Sequence, residues 1–376
     1  MSEMNFKQSA KIFKYFIFLS LFAGIIVTSC VQREKFDKEF VFDRNLVNTK
    51  ESELVCKLSE DSILLKEIVY FTILNDTSFV VLDGIGVYLY HISGTFIKQF
   101  GKRGQAGGEM IYPTFVYATS DFVYIWCASL MKFLIFDHEA NFKSELSGFK
   151  RAVRKFVVNS SNEILYAYTT GFLNNSENKV VDVIEVYNIA EKSSKKYGER
   201  GPEDEVLFTF RNSSGLYVDT DTDRLIYLHP GNLIIHDLDF NSGTTSRYKI
   251  DDKAFHTSKV TSRPREIIEN MPKLTDYIHQ NSVVKDIYKD HGQFIIIAEI
   301  GQYDFDEQNQ PMKDTKKRKI KLYILDPSFI PNSTILYDYI SYPNIVIYSG
   351  AIYFLTFNFT DDDQIFALNR FSLFEE

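Results

Sequence analysis

Alternating carboxylates are the first feature of this chain that could do chemistry. Asp219, Asp221 and Asp223 occur in the run DTDTDR, and carboxylates spaced in this way can bind Ca²⁺. An EF-hand loop that began at Asp219 would need glycine at its sixth position and glutamate at its twelfth, where this chain has Arg224 and Pro230. The match to a calcium loop therefore fails, and the run is interpreted as a solvated turn before a strand.

The other reactive side chains do not form a recognised catalytic pattern. The seven histidines are scattered, without the H-x-x-x-H or H-E-x-x-H spacing that places two zinc ligands on one helix face. The chain has no G-x-S-x-G elbow and no cysteine–histidine spacing that indicates a nucleophile. We therefore predict no catalytic residue, no metal ligand and no cofactor. Cys56, Cys127 and Trp126 are interpreted as buried core residues. The alternatives are a disulfide or a nucleophile for the cysteines and a sugar-stacking platform for Trp126.

The third cysteine follows an apolar N-terminal segment. Three lysines lie within the first 14 residues, and the run 15–27 (YFIFLSLFAGIIV) is uncharged. As a helix this run would span about 20 Å, short of the roughly 30 Å hydrocarbon core of a bilayer. A short apolar run behind a basic start is typical of a secretory signal peptide.

The segment ends in Val27-Thr28-Ser29-Cys30, which resembles the lipobox of bacterial lipoproteins. In that family the signal peptidase cuts before the cysteine, which is then acylated. The resemblance implies that residues 1–29 are a signal peptide, that lipid is attached to Cys30, and that residues 30–39 are a tether. It also implies a lipid anchor in the cell envelope, at the outer membrane. The alternatives are an ordinary signal peptide or an N-terminal membrane span, with Cys30 incidental.

Short strand patterns dominate the rest of the chain. Phe and Tyr are abundant, with 33 and 23 copies, and aromatic residues favour strands. The first unit contains four strand-like segments joined by tight turns, at 68–74, 78–83, 87–91 and 95–100. Consecutive short strands with tight turns indicate an antiparallel meander rather than a β–α–β unit.

This unit recurs along the chain as an apolar strand, a polar turn and an amphipathic strand. The copies include YLYHISGTF, LIFDHEANF, EVYNIAEKS, IIHDLDFNS and LYILDPSFI. Their spacing is about 45 to 50 residues except across an insertion, and that period is typical of propellers. We predict an all-β fold over residues 40–376, a six-bladed β-propeller of four-stranded antiparallel blades.

Closure of the ring is predicted from a strand count. The sixth unit has only three strand patterns, whereas unpaired strand patterns at 40–46 and 53–58 precede the first unit. If this N-terminal chain supplies the missing outer strand, the ring has no open edge there. Residues 251–282 are predicted to be an insertion with one or two short helices, which is either a lid for a partner or ligand or a solvated excursion. Two β-sandwiches, or a seven-bladed ring with a degenerate blade in 251–282, are the alternatives.

Two glycine-rich loops are predicted to connect neighbouring blades. The first is FGKRGQAGGE and the second, shorter version is YGERGPE. Glycine permits positive φ and close backbone approach, and arginine can bond loop carbonyls or a carboxylate. A backbone anion site is the functional alternative, although the first loop lacks the Gly-Lys-Ser/Thr of a P-loop. The residues assigned to the inter-blade role are Gly101, Arg103, Gly104, Gly107, Gly108, Glu109, Gly198, Arg200 and Gly201.

The first loop and the strand rhythm resemble six-bladed, NHL-like propeller lipoproteins of the bacterial cell envelope. Their loop is roughly G-R-x-G-Q-G-P-G-E-F before a proline, and Pro113 stands in that place here. Ala106, Gly107 and Met110 depart from the pattern. The resemblance covers about residues 40–376. It implies a propeller lipoprotein but no defined activity.

Charge and motif content leave two classes of function. The net charge of −8, without a basic excess, argues against a nucleic-acid partner. The favoured class is a membrane-anchored binding or scaffolding module whose ring face holds a peptide, glycan or partner protein, through residues that the sequence does not identify. The alternative is a metal-dependent enzyme of the lactonase or lyase type. A tyrosine-lined or apolar central channel favours binding, and an axial cluster of Asp, Asn, Glu or His favours the enzyme.

Overall fold

The computed structural model describes residues 36–41, 46–47, 52–58, 65, 68–174, 179–211, 214–219, 222, 224–260, 264–301, 319–338, 345–359 and 364–373. The unit Lys38–Glu376 is compact and contains all the blades. Residues 1–29 and Cys30 lie outside the described residues, as do Asp221 and Asp223, and the predictions for them stay predictions. None of the described helices is long and apolar enough to cross a membrane.

Six antiparallel sheets form the blades of a ring, and three short strands precede the first blade. These strands are β1 (Lys38–Val41), β2 (Leu46–Val47) and β3 (Glu53–Lys57). Blade 1 is formed by β4 (Ile68–Asn75), β5 (Ser78–Asp83), β6 (Gly86–His91) and β7 (Phe96–Phe100). A parallel pair in the loop after blade 1 is formed by β8 (Lys102–Arg103) and β9 (Glu109–Met110).

Blades 2 and 3 follow the same meander. Blade 2 is formed by β10 (Pro113–Ala118), β11 (Phe122–Cys127), β12 (Lys132–Asp137) and β13 (Phe142–Leu146), with a 3₁₀ turn at Ala128–Leu130. Blade 3 is formed by β14 (Val153–Val158), β15 (Ile164–Thr169), β16 (Phe172–Asn174), β17 (Lys179–Asn188) and β18 (Ser193–Arg200). The short β16 pairs with the first residues of β17, so the blade keeps four main strands.

Helices occur in the connections around blade 4. The first is α1 (Pro202–Arg211), before blade 4. Blade 4 is formed by β19 (Gly215–Asp219), β20 (Arg224–Leu228), β21 (Ile234–Asp239) and β22 (Thr245–Asp251). The insertion after it contains α2 (Pro264–Ile268) and α3 (Met271–Gln280). The prediction of one or two short helices in 251–282 is thus confirmed, and that segment is not a seventh blade.

Blades 5 and 6 complete the ring. Blade 5 is formed by β23 (Val283–Asp290), β24 (Gln293–Ile300), β25 (Lys319–Leu325) and β26 (Pro331–Asp338). Blade 6 takes three strands from the end of the chain, β27 (Ile345–Tyr348), β28 (Ala351–Phe359) and β29 (Gln364–Ser372), and its outer strand is β3. The predicted six-bladed β-propeller closed by N-terminal chain is confirmed.

Closure rests on a close fit of β3. It pairs antiparallel with β29, and Arg370 Nε donates to Glu53 Oε2 at 2.8 Å. Cys56 and Leu58 are buried in the core between blades 6 and 1. A Cβ at Gly94, in a turn of blade 1 with φ +90°, would lie 1.9 Å from the Lys57 carbonyl oxygen. Only glycine therefore lets blade 1 approach the closing strand this closely.

The N-terminal chain crosses three blades, not one. The sequence predicted a strand over 40–46, whereas β1 lies parallel to β22 of blade 4 and β2 lies parallel to β26 of blade 5. Because β1 and β2 pair with different blades, they are two separate strands and not the single strand that was predicted. We call β1, β2 and β3 the N-terminal belt, because together they follow the outer edges of blades 4, 5 and 6.

Neighbouring blades bury their apolar faces against each other. Within the described residues, each pair of neighbouring blades shares one hydrophobic cluster. Because both faces of a blade are covered, its central strands are apolar at nearly every position, and β5 (SFVVLD) is buried throughout. Trp126 and the free thiols of Cys56 and Cys127 are buried in these clusters, as the sequence predicted.

Candidate functional site in the central channel

Four of the six innermost strands share an irregularity near their first residue. In β4, β10, β14 and β23 the pairing shifts by one residue, which leaves one residue in each strand without a cross-strand partner. Such β-bulges re-aim side chains and are frequent next to functional sites. The bulged residues are Val69, Thr114, Arg154 and Lys285. We call the end of the central channel that they mark the channel mouth.

The residues that directly follow two of these bulges form an ion pair across the channel. Lys155 of blade 3 binds Oδ1 of Asp286 of blade 5, and its Nζ also donates to the Ser214 carbonyl oxygen at 3.2 Å. Both side chains are buried, with residue exposures of 6% and 7%. Asp286 also accepts a bond of 2.7 Å from the amide of Ile287. The pair therefore connects blades 3 and 5 past the inner strand of blade 4.

Burial disfavours both charges of this pair. It lowers the pKa of Lys155 and raises the pKa of Asp286, and each partner opposes the shift of the other. Each buried ion is stabilised by the other, because either one alone would bear its full desolvation free energy without compensation. We call the ion pair between Lys155 and Asp286 the crossbar, because it links blades 3 and 5 within the channel.

Tyrosines surround the crossbar. Burial and the nearby Asp286 raise the pKa of Tyr117 to about 12, and they also raise the pKa of Tyr288. The Tyr288 hydroxyl donates to the Ile345 carbonyl oxygen at 2.8 Å. Tyr70, which follows the bulge of blade 1, takes part in the same network. The phenols of Tyr117 and Tyr288 therefore stay neutral near pH 7.

The channel residues do not form a metal-ligand set. No group of three or more His, Cys, Asp or Glu residues that could hold a metal ion occurs in the part of the chain that the structure describes. The carboxylate near the axis, Asp286, is already engaged by a lysine. A tyrosine-lined channel is the arrangement that the sequence analysis associated with binding.

Arg154 is the mouth residue with spare hydrogen-bonding capacity. It is half-buried, and within the described residues its buried Nε has no hydrogen-bond partner. Burial and the neighbouring Arg200 lower the pKa of Arg154, while Glu205 opposes the shift. Because Glu205 is itself bound by Arg200 at 2.6 Å, it compensates Arg154 only in part. The guanidinium of Arg154 is therefore suited to a negatively charged group that arrives from outside.

Arg200 itself is fully engaged within the protein. Its guanidinium donates to the carbonyl oxygens of Thr169 and Thr170, each at 2.9 Å, and lies 4.0 Å from the ring centre of Phe208. It is 1% exposed. Gly198 beside it has φ +73°, and Gly201 directly precedes α1. In this second glycine-rich loop the arginine joins blade 3 to α1.

The first glycine-rich loop is organised around a carboxylate instead. Glu109 accepts a bond of 3.0 Å from the Ala106 amide and pairs with Lys102 at 3.2 Å, whereas Arg103 is exposed. The backbone bond and Lys102 lower the pKa of Glu109. A Cβ at Gly104 would lie 1.9 Å from Glu109 Oε2. The remaining glycines of this loop are Gly101 and Gly108, which have positive φ, and Gly107, whose Cβ position meets only Phe142.

A helical cap lies at the same end of the ring as the channel mouth. We use this name for α1, α2 and α3, which connect outer strands to the following inner strands. Leu207 of α1 and Leu274 of α3 are buried in one cluster. Asp204 of α1 accepts bonds from the Gly231 amide at 2.8 Å and from the Asn232 side chain, and burial raises its pKa to about 7. The cap is thus fixed to blade 4.

Sequence reasoning missed the channel residues, although a signal for them exists. Arg154 and Lys155 are adjacent charges near the start of an apolar strand, and Lys285 and Asp286 repeat this arrangement in blade 5. Two consecutive charges in a strand that is otherwise apolar cannot both face a core. They indicate an irregular strand that borders a polar space.

Fold and channel together define a six-bladed β-propeller whose channel is crossed by a buried ion pair among tyrosines. No family model and no curated protein matches the sequence. A crystal structure from Bacteroides fragilis, described as a "Putative exported protein", is 12% identical with a TM-score of 0.57, covering 89% of this chain and 99% of that chain. A DUF4221 family member from Bacteroides vulgatus is 10% identical with a TM-score of 0.58, covering 86% and 99%. At these identities the similarity shows the fold alone.

Proposed function

We propose that this protein is a binding module tethered to the cell envelope, which holds a peptide, glycan or partner protein at the channel mouth. The proposal rests on one observation, the buried ion pair that forms the crossbar. Lys155 and Asp286 occupy the axis, where an enzyme of the lactonase type would need free metal ligands. The two charges engage each other, so Asp286 is not a free carboxylate for a metal ion or for catalysis.

The channel mouth has the features of a recognition surface on a rigid frame. Bulges near the first residues of four inner strands place side chains of different chemistry at the same end of the channel, and bulges commonly re-aim side chains next to functional sites. Arg154 supplies a guanidinium that is not fully compensated, and such a group recognises carboxylates through paired hydrogen bonds. We therefore expect the partner to present an acidic group to the mouth.

Photo-crosslinking in the native envelope tests this proposal. We expect a photoreactive phenylalanine analogue at exposed Thr114 to give one discrete crosslinked product, detected by mass spectrometry. The same analogue at Ser328, an exposed turn residue at the opposite end of the ring, is the matched control. Adding Arg154→Glu to the Thr114 variant should remove most of the product, because the substitution reverses the charge at the mouth. Equal crosslinking at both positions would contradict the proposal.

The anchor is the second part of the proposal. The lipobox-like run before Cys30 supports acylation, and the similarity to a structure described as exported agrees with a place in the envelope. We expect the protein to partition into detergent with Cys30 at its mature N-terminus carrying lipid. Cys30→Ser should move it to the aqueous phase, whereas Cys56→Ser, a change at a buried cysteine, should not. An intact Met1 or an unmodified Cys30 in mass spectrometry would exclude the anchor.

A further inference from the structure

A groove at the opposite end of the ring from the channel mouth has no role in the proposed function. It lies between the sheet of blade 3 and the β21–β22 turn of blade 4, and its volume is about 470 Å³. This size falls within the range of about 300–1,000 Å³ that small-molecule sites occupy. We call it the lateral groove. Turns at the ends of β14, β17 and β21 border it.

Side chains that the strand register places on one face of blade 3 form the floor of the lateral groove. Tyr166 of β15 pairs with Val186 of β17, which pairs with Lys195 of β18, so these three side chains lie in one row on one face. Ile164, Asn188 and Ser193 form the next row in the same way. Both rows line the groove. The floor is therefore part of a sheet, which is a rigid support for a ligand.

Aromatic rings form the wall. Phe240, in the turn after β21, stacks on Tyr166 of the neighbouring blade with 4.9 Å between ring centres and 27° between planes. Tyr197 meets the same phenylalanine edge to face at 6.5 Å. Phe240 and Tyr197 line the groove and are only half-buried. A half-buried phenylalanine in a hairpin turn leaves apolar ring surface facing the groove.

Polar groups beside these rings have unused hydrogen-bonding capacity. Within the described residues, the Tyr197 hydroxyl, the Lys195 ammonium and the Asn241 side-chain amide make no hydrogen bond inside the protein. Asn188 uses only its Oδ1, which accepts from the Glu191 amide at 2.9 Å. The groove thus offers a hydroxyl, an ammonium and two amides next to aromatic surface.

We propose that the lateral groove binds a carbohydrate. A sugar ring has an apolar C–H face that packs on the negative face of an aromatic ring, and hydroxyls at its edge that both donate and accept hydrogen bonds. Amide and hydroxyl side chains match those hydroxyls. The net charge of the groove is small, because it contains two carboxylates, Glu163 and Glu191, and one lysine, Lys195. A small net charge fits a neutral oligosaccharide.

Calorimetric titration of the full protein with neutral oligosaccharides tests this inference. The probes are hexaoses of glucose, mannose, galactose, xylose and N-acetylglucosamine. We expect at least one to bind, with affinity falling about tenfold or more in Tyr197→Ala and in Phe240→Leu, which keeps most of the apolar volume of the turn. Tyr112→Ala removes an exposed tyrosine outside the groove, 56% exposed, and should leave affinity unchanged.

Two results would overturn the inference. One is the absence of binding to every probe at 10 mM, roughly the weak limit expected for a small site. The other is binding that Tyr197→Ala and Phe240→Leu leave unchanged. Arg154→Glu should not alter oligosaccharide affinity, and the groove variants should not alter crosslinking at Thr114. The lateral groove and the channel mouth can therefore fail independently.

Discussion

Replacing Lys155 with methionine should lower the free energy of unfolding by about 3–5 kcal/mol, because Asp286 is left as an unpaired charge in a buried site. The aspartate is 7% exposed, and its other partners, the Ile287 amide and the Tyr288 hydroxyl, carry no positive charge that could replace the lysine. Urea unfolding followed by far-ultraviolet circular dichroism measures the effect as a shift of the midpoint. A loss of this size is a large part of the 5–15 kcal/mol that typically stabilises a domain.

A double variant separates the ion pair from simple packing. Lys155→Met with Asp286→Leu removes both charges and should recover most of the loss, because apolar residues can replace a buried pair at little cost. Lys143→Met is the surface control, since Lys143 pairs with Asp137 but is 47% exposed, and it should barely shift the midpoint. If Lys155→Met behaves like Lys143→Met, the crossbar is not a structural element.

Removing the closing strand should have a similarly large effect. A protein that begins at residue 59 lacks β3, which leaves blade 6 with three strands and uncovers the partners of Cys56 and Leu58, among them Leu368. Losing two buried apolar side chains costs about 1.5–3 kcal/mol each, and an open sheet edge promotes association. We expect a strongly lowered thermal midpoint and aggregation, measured by calorimetry and light scattering.

A longer protein that begins at Ser52 is the matched control. It retains β3 and lacks only β1 and β2, which extend blades that are already four-stranded. Its midpoint should stay close to that of a protein that begins at Phe36. Equal stability of the proteins that begin at 52 and at 59 would show that closure by β3 contributes little.

The sequence predicted the blades well because their signal is local and repeated. An apolar strand, a polar turn and an amphipathic strand are each visible within about ten residues, and the period supplies the ring. The sequence analysis did not predict the helix α1. Pro202 and the acidic residues that follow it were the overlooked helix-start signal.

The channel could not be derived in the same way. Lys155 and Asp286 are 131 residues apart, and their contact depends on three inner strands meeting at the axis. Nothing in either strand alone specifies a partner at that separation. The lateral groove has the same origin, because Phe240 reaches Tyr166 from a different blade. Pattern analysis describes single blades, whereas both candidate sites arise where different blades meet.

The N-terminal belt has a consequence for how the chain folds as it is synthesised. The belt strands emerge first, yet β1 must wait for residues 248–251, β2 for 335–336 and β3 for 367–370. The partner strands β22, β26 and β29 are synthesised in the same order as β1, β2 and β3. Each belt strand can therefore pair before the later blades are complete. The last pairing joins Glu53 to Arg370, 317 residues away, which makes ring closure a late and slow step. Until then the exposed edges would benefit from a chaperone.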